Sequence, residues 1–370
     1  MIDASLLRDY EIKSTLGEGD YSKVYFATHR PTDTNVAIKV LRRTSLDSTK
    51  LEHFLNKEIR LMKDAIHPFV CKFYESFESD LFIYIVFEYI PCGTLLDEIY
   101  REGRMNERDA SIVFSELMLA IYYLHKRCRA THRNVKAENV LIDENHNIRL
   151  IDFGFSNLLS KENILTTQGG SIHYVAPELI LGQEHNEKVD IWSAGVLLYL
   201  LVIGCYPFND YSVTNLAQKI VYEEVFFPHF VSLQVKDLIT KMLVRNPKER
   251  MSADEVLKHP WVKPMGADIK LMVEGICIAE HMIYYEQKRY KLAEFVDKDL
   301  MKNIVITSIF KTRIRSAYYM SQTKPNSSKS QPILKFERKY RGIATSPPRR
   351  KAKKAKIVGP AIRGHRKSVM

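Results

Sequence analysis

No run of apolar residues in this 370-residue chain reaches the ~20 needed to cross a membrane; the longest, Gly195 to Phe208, stops well short. Cysteine is sparse. Cys71, Cys92, Cys128, Cys205 and Cys277 lie far apart, with no CxxC pair and no Cys/His ligand spacing. Neither a disulfide framework nor a structural zinc site is expected from this pattern, and a reducing compartment is the default. The first residues, MIDASLLRDY, carry Asp3 and Arg8 where a secretory signal needs an apolar core. The expected location is cytoplasmic. No internal repeat shows at periods of 20 to 50 residues. What is present is the composition of a globular protein: 45% hydrophobic, 27% charged and 11% aromatic residues.

Charge divides the chain. Residues 1–262 hold 30 Lys/Arg against 36 Asp/Glu, a net of −6, whereas residues 263–370 hold 25 against 8, a net of +17. Beyond Leu300 a single acid, Glu337, faces 19 basic residues. An acidic globular body with a basic tail is the expected organisation. The tail's Arg349-Arg350-Lys351 and Lys353-Lys354-Ala355-Lys356 have the character of a nuclear-import or polyanion-binding patch, or of a merely solvated charge run. The last stretch is too poor in large apolar residues to pack a core and is expected to be disordered.

Periodicity orders the body. Tyr10 to Phe26 reads as strand, glycine turn, strand, and Asn35 to Leu41 as a short buried strand. Thr49 to Ile66 has helical apolar spacing. Two strand-like runs lie between Lys72 and Tyr89, with Glu78-Ser79-Asp80 as their turn. From Leu95 onward the pattern is helical: Leu95–Tyr100, Glu107–Cys128, Asp190–Ile203, Ser212–Tyr222, Ser232–Leu243 and Ala253–Leu257. Strands first and helices after imply two lobes.

Several residues invite a chemical reading. Leu16-Gly17-Glu18-Gly19-Asp20-Tyr21-Ser22-Lys23-Val24 is a glycine-rich turn between strands, suited to aiming N–H groups at phosphate; a plain hairpin turn has the same pattern. Lys39 interrupts the apolar strand Val36-Ala37-Ile38. A buried ammonium needs an anionic partner, and Glu58 on the next helix is a candidate. Further along come His132-Arg133-Asn134-Val135-Lys136-Ala137-Glu138-Asn139, then Asp152-Phe153-Gly154, Ala176-Pro177-Glu178, Asp190-Ile191-Trp192-Ser193-Ala194-Gly195 and Arg250.

In order and spacing this set resembles the signature of eukaryotic protein kinases, from about Tyr10 to Val262. GGSIHYVAPE and the ending at Trp261 are most similar to the calcium/calmodulin-dependent and AMP-activated branch of Ser/Thr kinases. KAENVLID and DFGFSN resemble the microtubule-affinity-regulating kinases. The resemblance implies an α+β, bilobal fold: a small β-rich N-lobe, a large helical C-lobe, and here a basic C-terminal tail. Domain boundaries follow as 10–262 for the kinase domain, 263–300 for a helical extension and 301–370 for the tail.

It also implies roles, with ATP and Mg²⁺ as cofactors. The loop from Leu16 to Val24 covers the phosphates, and Lys39 paired with Glu58 touches them. Asn139 and Asp152 hold Mg²⁺. Leu16, Val24, Ala37 and Leu141 sandwich the adenine, backbone from Glu88 to Ile90 bonds it, and Phe87 closes the pocket behind. Lys136 reaches the transferred phosphoryl group and, by its identity, favours Ser/Thr over Tyr as acceptor. Glu178 and Arg250 form a bracing ion pair. Thr167, with Thr166 beside it, is the expected regulatory phosphosite, and Arg133 its receptor. Partners are a protein substrate bearing Ser/Thr, an upstream activating kinase, and a calmodulin-like or acidic partner for the tail segment Lys302–Met320.

Departures from the family matter as much. Ser22 replaces the loop's third glycine, a mild change. Asn134 stands where the family has the aspartate that accepts the substrate hydroxyl's proton. An amide oxygen orients a hydroxyl but has almost no basicity. Such a loss is worth ~10² to 10⁴ in rate. Thr94 and Leu200 occupy positions where arginine-directed relatives carry glutamate, and Ile172 replaces a common proline. Three functions therefore compete: a slowed Ser/Thr kinase, an ATP-binding pseudokinase acting as scaffold or switch, and a tail-driven binder of polyanions.

Overall fold

In the computed structural model, residues 7, 9–19, 22–43, 59–152 and 171–263 are described. All belong to one compact unit, Met1–Ser308; none belongs to the other, Ile309–Met370. The expected extension from residue 264 and the basic tail lie outside the described residues, as do Asp20, Tyr21, Glu58, Thr166 and Thr167.

The first part is a five-stranded sheet. β1 (Tyr10–Glu18), β2 (Ser22–His29), β3 (Thr34–Arg42), β4 (Phe73–Glu78) and β5 (Phe82–Glu88) pair in the order β1-β2-β3-β5-β4. Its four strand pairings are all antiparallel. Cross-strand register sorts the side chains into two faces. Val24 opposes Lys39, Phe26 opposes Ala37, and these two β3 residues oppose Ile85 and Phe87 on β5. The other face carries Ile38, Val40, Tyr84 and Val86, which join Leu7 and Tyr10 in a small hydrophobic cluster of their own. Phe77 stacks on Tyr84 there, with ring centroids 5.0 Å apart. Of the expected helix from Thr49 to Ile66, the described part is α1 (Ile59–Asp64), which turns Ile59 and Met62 into the main core.

The second part is helical: α2 (Leu95–Glu102), α3 (Glu107–Lys126), a short α4 (Pro177–Ile180), α5 (Lys188–Ile203), α6 (Val213–Tyr222), α7 (Leu233–Met242) and α8 (Ala253–Lys258). A two-stranded ribbon, β6 (Val140–Ile142) with β7 (Ile148–Leu150), lies between α3 and α4 in the chain. Local chemistry sets the ends. Thr94 and Asp97 form a capping box at the start of α2, and Ser252 and Glu255 form one at the start of α8. Thr94 thus has a structural role that its comparison with arginine-directed relatives does not reveal. α5 is buried on every face from Val189 to Val202, and its residues there are apolar apart from Asp190 and Ser193. Gly195 lets α7 close on it, since a Cβ there would sit 3.0 Å from Met242 and Leu243 side-chain atoms.

Glu178 and Arg250 form the expected brace. Two charge-assisted bonds of 2.7 and 2.8 Å join them, and both side chains are essentially inaccessible. Arg250 also donates to the carbonyls of Val244, Lys188 and Arg245, so the buried guanidinium is satisfied.

A second buried acid, Glu116 on α3, went unremarked in the sequence although it interrupts the run Phe114 to Ile121. Its Oε2 accepts the Ile148 amide of β7 at 2.9 Å. Burial raises its pKa to about 8; the Ile148 bond and Arg149 oppose that rise and Asp143 adds to it. An unfolded glutamate ionises near 4.5, so between that pH and about 8 the folded chain holds the extra proton. Stability from this group falls as pH rises through that window and is level above it. Glu116→Gln keeps an acceptor for Ile148 without the charge. The variant should gain at least about 3 °C in Tm relative to the unaltered chain on going from pH 5 to pH 8. Parallel Tm curves for the two would contradict this account of Glu116.

Candidate functional site

Between β1 and β2 the glycine loop closes tightly: Gly19 N donates to Ser22 O at 2.8 Å, and Glu18 pairs with Lys23 at 3.1 Å. A Cβ added at Gly17 would meet nothing within 4 Å. Neighbouring protein atoms therefore do not demand glycine there, and the space left above the backbone suits close approach by a phosphate. Val24 and Ala37 are half-buried on the sheet face that also carries Lys39, whereas Leu16 is exposed. Phe87 meets Phe73 edge-on, its ring 6.1 Å away. Past it, Glu88 and Ile90 begin the connection to α2, and Leu141 on β6 bridges to Thr94.

Lys39 Nζ lies 2.6 Å from Asp152 Oδ1. The expected partner Glu58 is outside the described residues; the anion found beside the lysine is the expected metal ligand. Asp152 has φ +62°, the left-handed region that aspartate tolerates at some cost. Asn139 is buried and donates from Nδ2 to Asn134 O at 2.8 Å; its backbone carbonyl accepts from Ile151 N at 2.9 Å. This fixes the amide's orientation, and among the described residues its Oδ1 has no hydrogen-bond donor. Two side-chain oxygens, from Asn139 and Asp152, fit Mg²⁺, which prefers few protein ligands plus waters and phosphate oxygens. No group of three His, Cys, Asp or Glu among the described residues is arranged for a metal.

One carboxylate holds the segment from His132 to Asn139. Asp190, fully buried on α5, accepts from the backbone N–H of His132 at 2.7 Å and of Arg133 at 2.7 Å, and meets His125 Nε2 at 2.8 Å. Burial would raise the Asp190 pKa, but hydrogen bonding from His125 and from the His132 backbone, with the polarity of the two rings, outweighs it and holds it below the usual range. Arg133 is exposed with φ +63°, a conformation its bond to Asp190 stabilises. His132 sits within reach of Asn134 N at Nδ1, 3.2 Å, and of Ile151 O at Nε2, 3.0 Å. With Nδ1 accepting, Nε2 carries the hydrogen and donates. Burial lowers the His132 pKa, which keeps the ring neutral.

Tyr174 completes the scaffold. Its Oη accepts from Ala137 N at 3.3 Å, and its carbonyl accepts from Ser193 Oγ of α5 at 2.8 Å. Asn134 itself is half-buried in the middle of this network, and Lys136 two residues on accepts the Asn139 amide at 3.0 Å. Neither Asp190 as the anchor nor Tyr174 as a strut was drawn from the sequence. A lone acid at the start of the apolar run Ile191 to Ile203 was the available signal for the first.

The fold is a five-stranded sheet followed by a helical part, with an anchored loop between Lys39 and Asp152 in the chain. The protein kinase domain family matches residues 10–262, and the chain belongs to that family. Its relatives are Ser/Thr kinases. A Serine/threonine-protein kinase SIK3 homolog of Danio rerio is 40% identical over 261 residues, covering 70% of this chain and 22% of that protein. An SNF1-related protein kinase catalytic subunit alpha KIN12 of Arabidopsis thaliana is 38% identical over 257 residues, 70% of this chain and 52% of the relative. The Serine/threonine protein kinase OSK3 of Oryza sativa subsp. indica is 33% identical over 300 residues, 81% and 56%. The chain thus spans between about a fifth and just over half of the length of these relatives.

Asp190→Ala leaves two buried backbone donors and His125 without their acceptor. It should cost about 3 kcal/mol or more of stability in urea unfolding, with Asp190→Asn costing less because one acceptor oxygen remains. An alanine variant as stable as the unaltered chain would show that the loop is held by something else.

Proposed function

We propose that the chain is a protein serine/threonine kinase that transfers the γ-phosphoryl group of Mg-ATP to protein Ser/Thr, at a rate lowered by Asn134. The observation that carries this reading is the convergence of Lys39, Asp152, Asn139 and Asn134 around one anchored loop.

Lys39 would offset negative charge on the phosphates, and the open backbone at Gly17 leaves room for them. When bound, Mg²⁺ supplies neutralisation of the phosphate oxygens. Asn139 Oδ1 and the Asp152 carboxylate would hold it. The backbone of Glu88 and Ile90, with Val24, Ala37 and Leu141, would take the base. The substrate hydroxyl oxygen bonds to the γ-phosphorus as the bond to the β–γ bridging oxygen breaks, and ADP leaves with that electron pair. Asn134 Oδ1 accepts a hydrogen bond from the hydroxyl and orients it but does not take its proton, which leaves to an oxygen of the transferred phosphoryl group and from there to solvent. His132 is no substitute: its ring nitrogens are engaged by Asn134 N and Ile151 O. Positioning and charge neutralisation remain, and they carry most of the barrier lowering in phosphoryl transfer.

A second reading, the ATP-binding scaffold or switch, rests on the same Asn134. Thr167 as regulatory phosphosite, an upstream kinase acting on it, and a calmodulin-like or acidic partner for the tail are proposals from the sequence, with exposed Arg133 supporting the first. Nuclear import through the tail, against a cytoplasmic location, rests on charge alone. Among the described residues no helix is long and apolar enough to cross a membrane.

Single-turnover transfer to a Ser/Thr peptide library separates the readings. Asn134→Asp should raise the rate at least ~10²-fold with nearly unchanged ATP affinity. Equal, robust rates in both forms would mean that orientation by the amide suffices. Nucleotide bound with no transfer in either form would favour the scaffold.

A further inference from the structure

Arg149 lies on β7, three residues before Asp152, and has no part in the reading above. Its guanidinium nevertheless joins three pieces of the chain. Nη2 is 3.2 Å from Asp143 Oδ2 in the β6–β7 turn, Nε is 3.6 Å from Glu88 Oε1 at the end of β5, and Nη1 donates to Ile148 O at 2.9 Å. Asp143 in turn organises its turn, accepting the amides of Asn145 and Asn147 at 2.8 and 2.9 Å.

Glu88 is clasped from a second side. Its Oε1 accepts Lys72 N at 2.7 Å, and its own N–H donates to Lys72 O at 3.0 Å. The residues before Lys72 grip β7: Cys71 N donates to Leu150 O, and Leu150 N to Phe69 O, both at 2.9 Å. The connection from Glu88 to Ile90 (the hinge between the sheet and α2), the approach to β4 and the strand that delivers Asp152 are therefore one hydrogen-bonded body, with the Arg149 guanidinium inside it. Both Arg149 and Glu88 side chains are only about one-fifth exposed (20% and 21%), so the charges are screened less than on an open surface. A fork-shaped guanidinium can serve Glu88, Asp143 and a carbonyl together; an ammonium cannot hold that geometry.

We propose that Arg149 is a positioning residue that couples the hinge at Glu88 to the strand carrying Asp152, and so sets the affinity for nucleotide. The idea rests on the nucleotide-binding part of the proposed function. It predicts a loss in binding rather than in the chemical step, because Arg149 acts where the base and the metal ligand are placed and not at Asn134.

The test uses the full chain, calorimetric titration with Mg-ADP and initial-rate kinetics. Arg149→Met, which keeps the aliphatic stem, should raise Kd about 10-fold, or about 1.4 kcal/mol. The kcat at saturating ATP should stay within about 3-fold. Glu88→Gln should weaken binding similarly, and the double variant should be no worse than the weaker single one, as expected for two ends of one contact. Arg149→Lys should fall between, and it carries the test if the methionine variant does not fold. An unchanged Kd in these variants, losses that add in the double variant, or a fall in kcat as large as the rise in Kd would each overturn the proposal. If the unaltered chain binds Mg-ADP but transfers no phosphate, the kinase reading fails while this one stands. If it transfers phosphate and Arg149 proves indifferent, only this one fails.

Discussion

Asp190 is the residue on which the site depends. A single carboxylate, buried in the most thoroughly covered helix of the fold, accepts two consecutive backbone N–H groups and meets His125. Such burial is costly unless every lone pair is used. Here it is used to impose a left-handed backbone at Arg133 and to fix where Asn134, Lys136 and Asn139 fall. Tyr174 ties the same loop to α5 by a second route, through Ala137 and Ser193. The loop is therefore an extension of the helical core and not a free surface segment. Its precision derives from α5, whose close packing on α7 depends on Gly195.

Against that rigid half stands the sheet, from which Lys39 reaches across to Asp152. The register of β2, β3 and β5 decides which face Lys39 occupies, together with Val24 and Ala37. A slip of one residue would send it to the face filled by Ile38, Tyr84 and Val86. The proposed role of Asn134 asks nothing different of this scaffold: the hydrogen bonds that anchor its neighbours are in place. An amide at that position can orient a hydroxyl but has almost no basicity with which to take its proton.

Much of the fold was legible in the sequence because alternation and helical spacing report burial directly. The strands from Tyr10 to Glu88 and the helices from Leu95 to Lys258 fall where the pattern puts them, within a few residues. The Glu178–Arg250 brace was read from family resemblance and is present. Harder to see were contacts that join distant residues without a local pattern. Glu116 to Ile148, Asp190 to His132 and Arg149 to Glu88 span 32, 58 and 61 positions, and no periodicity announces them. Thr94, which stands where arginine-directed relatives carry glutamate, is also a helix cap, a role signalled by Asp97 three residues on. The short helix Pro177–Ile180 escaped because four residues carry too little periodicity to register.

The claim beneath all of this is that Lys39, Asn139 and Asp152 form one Mg²⁺-dependent nucleotide site. Calorimetric titration of the full chain with ATP, with and without Mg²⁺, tests it most directly. The account predicts binding that strengthens markedly with Mg²⁺ and is weakened at least about 10-fold by Lys39→Met or Asp152→Asn. Absence of binding at millimolar Mg-ATP, or binding indifferent to both the metal and these two substitutions, would contradict it.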